Sequence, residues 1–321
     1  LALARKELSA CSFRLFIGEK PNITPVMNED LSTKRTKEEL KEALVDEWGV
    51  KYSKDGRKLL DVSLNIRGAY SVKEGTKIIC DGAFCNCFSL SNIVIPDSVT
   101  SIGKETFLNC FLLKSISIPK SVICLNGNPF FKWDGKLECL SPNFIYEDDV
   151  LFNKDKSKII AFRDKNTTSY VIPDYVTSIG ERAFDHCSAL RSIVIPDSVT
   201  SIGERAFYSC SSLSNIVIPN SVTHIGSIAF NNCSSLSDFV IPDSVTSIES
   251  DAFGYCSSLS NIVIPDSVTN IGEGAFYACH SLSSIVIPAS VASIGSDAFA
   301  GCNFSNNLKQ ELISRFGDKI F

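Results

Sequence analysis

Basic residues are scarce where this chain is most regular. Between residues 165 and 302 only Lys165, Arg182, Arg191 and Arg205 carry positive charge, against twelve Asp and Glu. Such a surface excludes a phosphate-backbone partner, whose affinity comes from Lys and Arg neutralising phosphates. The whole chain of 321 residues has a net charge of −5, so no general attraction to nucleic acid is implied. Histidine is nearly absent, with only His186, His224 and His280. No apolar run reaches the ~18 residues of a transmembrane helix. The opening LALARKELSAC has Arg5, Lys6 and Glu7 where a signal peptide has its apolar stretch, so no leader is read there. The same charges spoil the lipoprotein-like box Leu8-Ser9-Ala10-Cys11. No G-x-G-x-x-G or P-loop occurs, and no cofactor is called for.

What is present is repetition. Residues 211–233, 234–256 and 257–279 read SSLSNIVIPNSVTHIGSIAFNNC, SSLSDFVIPDSVTSIESDAFGYC and SSLSNIVIPDSVTNIGEGAFYAC. The 23-residue step runs without slip from Pro173 to Pro288, from Phe184 to Phe299 and from Cys187 to Cys302. A repeat this short cannot bury its own apolar face and must stack on its neighbours, which makes a solenoid. Six repeats fill 165–302 and three more fill 65–133; 134–164 is a degenerate repeat. Laid on the N-terminal region at an offset of 100, that stretch matches: Val50 meets Val150, Tyr52 meets Phe152 and Lys54-Asp55 meets Lys154-Asp155. The chain thus holds two copies of a larger module, a hairpin followed by repeats. The pair Asp55-Gly56 signals a two-residue turn in a hairpin at about 50–60, and a second hairpin is expected around 144–162.

Solenoid ends expose a slice of core and need caps. Thr36-Lys37-Glu38-Glu39 forms a capping box, and the spacing of Leu40, Ala43 and Leu44 before Gly49 predicts a helix at about 36–48. This helix and the hairpin belong to an N-terminal cap region, 1–64, in which Phe13–Ile17 suits a strand. At the other end, within 303–321, Leu308, Leu312, Ile313 and Phe316 share one face of a cap helix.

In the repeat ending at Cys233, Leu213, Ile216 and Ile218 are spaced L-x-x-I-x-I. Residues two apart on a strand point the same way, so these face the core. Pro219 ends ladder pairing, Val222 and Ile225 supply the next inward contacts, and Gly226 suits a tight corner. The phrase I-x-I-P-x-S-V-T-x-I-G-x-x-A-F-x-x-C resembles the BspA-like (Treponema pallidum-type) leucine-rich repeat family over about 65–302. The resemblance implies a right-handed, curved solenoid with a parallel sheet on its concave face and short strands and turns on the convex arm. It also implies surface or secreted proteins linked to adhesion and to binding host proteins or other cells. Departures fall at Ile123-Cys124-Leu125-Asn126 and at Lys73, where distorted repeats are expected.

Thirteen cysteines invite metal or disulfide readings. Eight of them (Cys87, Cys110, Cys187, Cys210, Cys233, Cys256, Cys279, Cys302) share one repeat slot. Stacked repeats would hold them ~4.8 Å apart with parallel rather than converging Cβ vectors, so a ladder of buried free thiols is expected. Zinc usually needs short C-x₂₋₄-C pairs, and Cys85-x-Cys87 only approaches one. The histidines occupy variable positions, as solvated side chains do. Nothing marks out a catalytic site, and no enzyme activity is expected.

The outward strand positions are the candidates for function. Val194, Val217, Val240, Val263 and Val286 alternate with core isoleucines, flanked by Ser192, Asn215, Asp238, Asn261 and Ser284. An exposed apolar stripe with a polar border marks a partner site; the bland alternative is valine chosen for strand propensity alone. The expectation is a non-enzymatic interaction scaffold with a protein ligand. A glycan-binding module ranks lower because the stripe has no aromatic platform, and a structural spacer is the remaining alternative. No leader is visible in this sequence, so an intracellular version of either role, which the many thiols would suit, stands beside the surface or secreted setting that the resemblance implies.

Overall fold

A computed structural model describes residues 31–321. The expected strand at Phe13–Ile17 and the box ending at Cys11 lie outside them. The chain forms two compact bodies, one ending at Asn143 and the other spanning Phe144–Phe321. Each is a stack of 23-residue coils opened by an antiparallel meander. In the first, strands 44–45, 50–52 and 58–62 lead into parallel strands 78–79, 101–102 and 124–125. In the second, Phe144–Glu147, Val150–Asn153 and Lys158–Phe162 lead into 178–179, 201–202 and 224–225. Both meanders carry an irregularity at the same offset, Lys51/Tyr52 and Leu151/Phe152, as the match at 100 residues requires.

Three ladders join coils in the second body. One runs through the short strands 169–171, 192–194 and 215–217. A second runs through the T-S-I corners, with bonds such as Thr200 N–H to Thr177 O at 2.9 Å and Gly203 N–H to Ile179 O at 2.9 Å. The third lies in the A-F-x-x-C arm, where alternate N–H groups reach forward to the next coil (Phe207 to Ala229 O) and the others close local turns (Ala206 to Gly203 O). This alternation needs left-handed backbone at Arg205, Ile228, Asp251 and their counterparts. For β-branched Ile228 that conformation is costly, and the stack on either side imposes it.

Repeated polar residues also close bonds between coils. Ser198, Ser221, Ser244 and Ser267 donate to the carbonyls of Val176, Val199, Val222 and Val245 at 2.5–2.8 Å. The thiols of Cys210, Cys233, Cys256, Cys279 and Cys302 donate to a phenylalanine carbonyl one coil back at 3.1–3.3 Å. Beside them Phe184, Phe207, Phe230, Phe253, Phe276 and Phe299 stack in order, centroids 5.1–5.6 Å apart and planes within 15°. Gly226 serves close approach rather than a corner: a Cβ there would lie 2.6 Å from Glu204 N.

The strand ladders are not continuous. Both stop between 211–233 and 234–256: strands 215–217 and 238–240 fall in separate sheets, as do 224–225 and 247–248. The arm bonds cross the same junction intact, with Phe230 N–H to Ala252 O at 2.8 Å. The coil 234–256 places Phe239 in the isoleucine slot and Glu249 in the glycine slot. Asn126 occupies that glycine slot in 111–133 and still bonds Ile102 O at 3.0 Å, so a side chain there does not by itself open the ladder. Phe239 packs its ring against Phe230 and Phe253, 5.1 and 4.7 Å between centroids. An aromatic ring in that slot does not by itself open the ladder either: Tyr170 fills the same slot and pairs with Ile193, and Phe239 itself pairs with Ile262. The 111–133 coil, expected to be distorted, keeps its corner register, with Cys124 and Leu125 paired to Ser101 and Ile102, while its strand Ser115–Ile118 falls in a separate sheet from Leu90–Val94.

The N-terminal helix is shorter than its periodicity implied. Thr36 forms the capping box with Glu39, but the helix spans Lys37–Lys41 and Leu44–Val45 is a strand. The cause is Asp46, whose Oδ1 accepts from the N–H groups of Trp48 and Val50, while Gly49 takes a left-handed φ of 78°. Together they close a hairpin turn where the helix would have continued. The Asp55-Gly56 turn also differs: Gly56 N–H bonds Ser53 O, Ser53 N–H bonds Lys58 O, and only Gly56 is left-handed, so the loop is longer than two residues. Lys156 takes the same conformation in the second copy. The C-terminal helix spans Asn306–Phe316 with Ser305 as N-cap. Leu312 is buried against the last coil, and Arg315 donates to the carbonyls of Ile287 and Pro288. Among the described residues no helix is long and apolar enough to cross a membrane.

Candidate partner-binding face

In the second body the strand alternation sets two opposite faces. Ile193, Phe239, Ile262 and Ile285 point inward and are buried. The valines between them point out: Val194, Val217, Val240, Val263 and Val286 are 49–81% exposed. The sequence reading left out Val171, which occupies the same slot at 66% exposure and pairs with Val194 in parallel register. Its signal was available, since Tyr170 lies one 23-residue step before Ile193. The stripe is therefore six valines long. Parallel strand spacing of ~4.8 Å per coil makes it a narrow apolar track rather than a pocket, although 284–286 is not itself a regular strand.

The flanking polar positions share this outer face. Asn215, Asp238, Asn261 and Ser284 are exposed and Ser192 is half-buried. A second row was not anticipated: Asp174, Asp197, Asp243 and Asp266, each three residues after a stripe valine, are all exposed. Residues 206–308 contain no Lys or Arg, so no basic residue of that stretch neutralises Asp243 and Asp266. The track is apolar along its middle and acidic along one rim.

Other candidates resolve into structure. The ladder cysteines are buried and free. Burial pushes the thiols of Cys87, Cys110, Cys256 and Cys302 up to about 12, which keeps them neutral and poorly nucleophilic. Cys187, at the head of the stack, is the exception. The Cys210 thiol and then the Lys165 ammonium, 3.5 Å from its Sγ, hold it below the usual range. His186 is not a freely solvated side chain as expected: it pairs through Nδ1 with buried Asp185, which also takes Arg182 at 2.7 Å. His224 is exposed, and His280 lies 3.0 Å from Gly301 O. Among the described residues no group of three or more His, Cys, Asp or Glu is placed to hold a metal ion.

Residues 70–145, 158–280 and 246–321 match the model of the BspA type leucine rich repeat region, six copies. No curated protein sequence matches the chain. A solved leucine rich cell surface protein from Faecalibacterium prausnitzii is similar over 79% of this chain at 30% identity, with a TM-score of 0.61; the match covers 63% of that protein's length. A leucine-rich repeat protein from Eubacterium ventriosum is similar over 74% of this chain and 77% of its own length, at 27% identity and a TM-score of 0.57. The pneumococcal vaccine antigen PcpA shares the fold at 21% identity and a TM-score of 0.51, over 79% of this chain and 66% of its own. With its 23-residue coils, its phenylalanine and thiol stacks and these matches over most of its length, the chain belongs to the BspA-type leucine rich repeat family.

Proposed function

We propose that this chain is a non-enzymatic protein-binding scaffold, adhesin-like and of a host-associated microbe, whose valine track docks a protein partner. The observation that carries the reading is the track itself: six exposed valines on successive coils, where a soluble surface would place polar side chains at little cost. The similar structure described as a cell surface protein supports a setting in which such a face meets other molecules. The acidic rim and the absence of basic residues over 206–308 set the partner's chemistry. It presents apolar side chains to the valines and Lys or Arg to Asp174, Asp197, Asp243 and Asp266.

The test is an array of purified extracellular and cell-surface proteins probed with this chain at low and high salt. Retained proteins should carry basic apolar segments, and retention should fall with salt, because exposed charge pairs are screened. An array on which nothing is retained, or on which retention is indifferent to both salt and partner charge, sinks the proposal.

A further inference from the structure

The two hairpin-plus-repeat modules serve as internal controls for each other. They share the residues that make the fold: Val50 and Val150 are buried at equivalent strand starts, Tyr52 and Phe152 fill the same core position, and Tyr70 and Tyr170 lie one coil on. They differ at a cluster of positions that the fold does not require. The first copy has Trp48, Ser71 and Lys73 where the second has Asp148, Val171 and Pro173. In the first copy the valine track is therefore interrupted by a hydroxyl and an amine, with an indole beside them.

These residues line one cavity. It measures about 610 Å³ and is bounded by Asp46, Glu47, Trp48, Tyr70, Ser71 and Lys73, within the roughly 300–1,000 Å³ of small-ligand sites. Its floor is rigid. Asp46 Oδ1 holds the turn that carries Trp48, and Oδ2 accepts from the Tyr70 hydroxyl at 2.8 Å. That hydroxyl lies 2.6 Å from the Tyr52 hydroxyl. Lys73 Nζ stands 4.7 Å above the Tyr52 ring and 3.9 Å from Asp46 Oδ2. Asp46 and Tyr70 are thus occupied in building the site. The Trp48 indole is 49% exposed, whereas Trp133 is buried with its Nε1 donating to Leu113 O at 2.7 Å.

We infer that this cavity binds a neutral sugar residue of a glycan, with the Trp48 ring against the apolar face of the pyranose and Glu47, Ser71 and Lys73 bonding its hydroxyls. An aromatic face beside convergent donors and acceptors suits a ligand that is apolar on one side and hydroxylated at its edge. Two carboxylates against one ammonium leave the site slightly acidic, which favours a neutral sugar over a sialylated or sulfated one. The site supplies the aromatic platform that the valine track lacks, and it is independent of that track.

The experiment is a printed array of neutral, sialylated and sulfated glycans, followed by titration of the full chain with lactose, cellobiose and N,N′-diacetylchitobiose, read by tryptophan fluorescence. Buried Trp133 gives a constant background, so the change reports Trp48. Retention of a neutral glycan is expected, with at least a tenfold loss on Trp48→Ala and on Ser71→Val, the residue already present in the second copy. Val217→Lys with Val240→Lys should leave glycan retention unchanged, which separates this site from the protein-binding track. Retention of no glycan, retention of charged glycans only, or retention that survives both Trp48→Ala and Ser71→Val with an unchanged melt overturns the inference.

Discussion

Raising the pH to 10 should destabilise this protein through its thiol stack. Burial pushes Cys256 and Cys302 from an ordinary 9.0 up to about 12, and pushes Cys233 and Cys279 upward as well. The folded values lie above the unfolded ones. The fold therefore keeps its full stability below about pH 9 and loses it as the pH climbs toward about 12. At about pH 10 an unfolded thiol is largely ionised while a stacked one stays neutral, a penalty of ~1.4 kcal/mol per thiol. Cys256 and Cys302 alone cost ~3 kcal/mol, with Cys233 and Cys279 adding in the same direction, against a typical total of ~5–15 kcal/mol. Urea denaturation followed by circular dichroism at about pH 8 and pH 10 measures the loss, and the urea midpoint should fall markedly. Tyr170, also pushed up to about 12 by burial, contributes with the same sign, so a control is needed. Cys256→Val should remove ~1.4 kcal/mol of the difference between the two pH values. An unchanged midpoint at the higher pH, or a Cys256→Val variant that shows the full drop, would refute the buried neutral stack.

Three further outcomes follow from the same geometry. Among the described cysteines only Cys85 and Cys139 are partly exposed, so a thiol reagent should label these first, slowly at neutral pH because burial raises both thiols, and the rest only after denaturation; a disulfide joining Cys210, Cys233 or Cys256 in the mass spectrum would contradict this. Gly226→Ala should cost ~1–3 kcal/mol, because its Cβ would meet the Glu204 backbone nitrogen at 2.6 Å; a melt within error of wild type would show that the coils can separate freely there. Amide exchange at Thr246 and Glu249 should be faster than at Thr223 and Gly226, whose N–H groups bond Thr200 O and Ile202 O, because the corner ladder is interrupted there; equal protection would show a continuous ladder.

What the sequence disclosed was whatever the period itself encodes. The in-out alternation around Val217, the shared slot of the cysteines and the stacking of Phe230 on its neighbours follow because one solution must satisfy every coil. The helix at Asn306–Phe316 was legible because its cap and apolar face are local. The helix expected at about 36–48 failed where a local side-chain bond won: Asp46 turns its carboxylate to the Trp48 and Val50 amides and ends the helical run. The ladder break was hidden because no single residue announces it: an aromatic in the Phe239 slot pairs normally at Tyr170, and a side chain in the Glu249 slot is tolerated at Asn126. Ser221 was given no role from the sequence, and its bond to Val199 O places it between coils. The acidic rim was visible residue by residue, but its position beside the valines depends on how the strand turns at Pro196 and its counterparts.

The most direct measurement for the central claim is the variant Val217→Lys with Val240→Lys, compared with wild type in thermal melting and in binding to the proteins retained on the array. Both valines are well exposed, 74% and 64%, and surface changes of this kind usually stay within roughly 0.5 kcal/mol. The account predicts a nearly unchanged melt and a clear loss of binding, since two lysines replace the middle of the apolar track and would face the partner's own basic groups. Ile218→Lys, which places an unpaired charge in the core, should instead collapse the melt. Full binding by the double variant with an unchanged melt would contradict the valine track as the binding face.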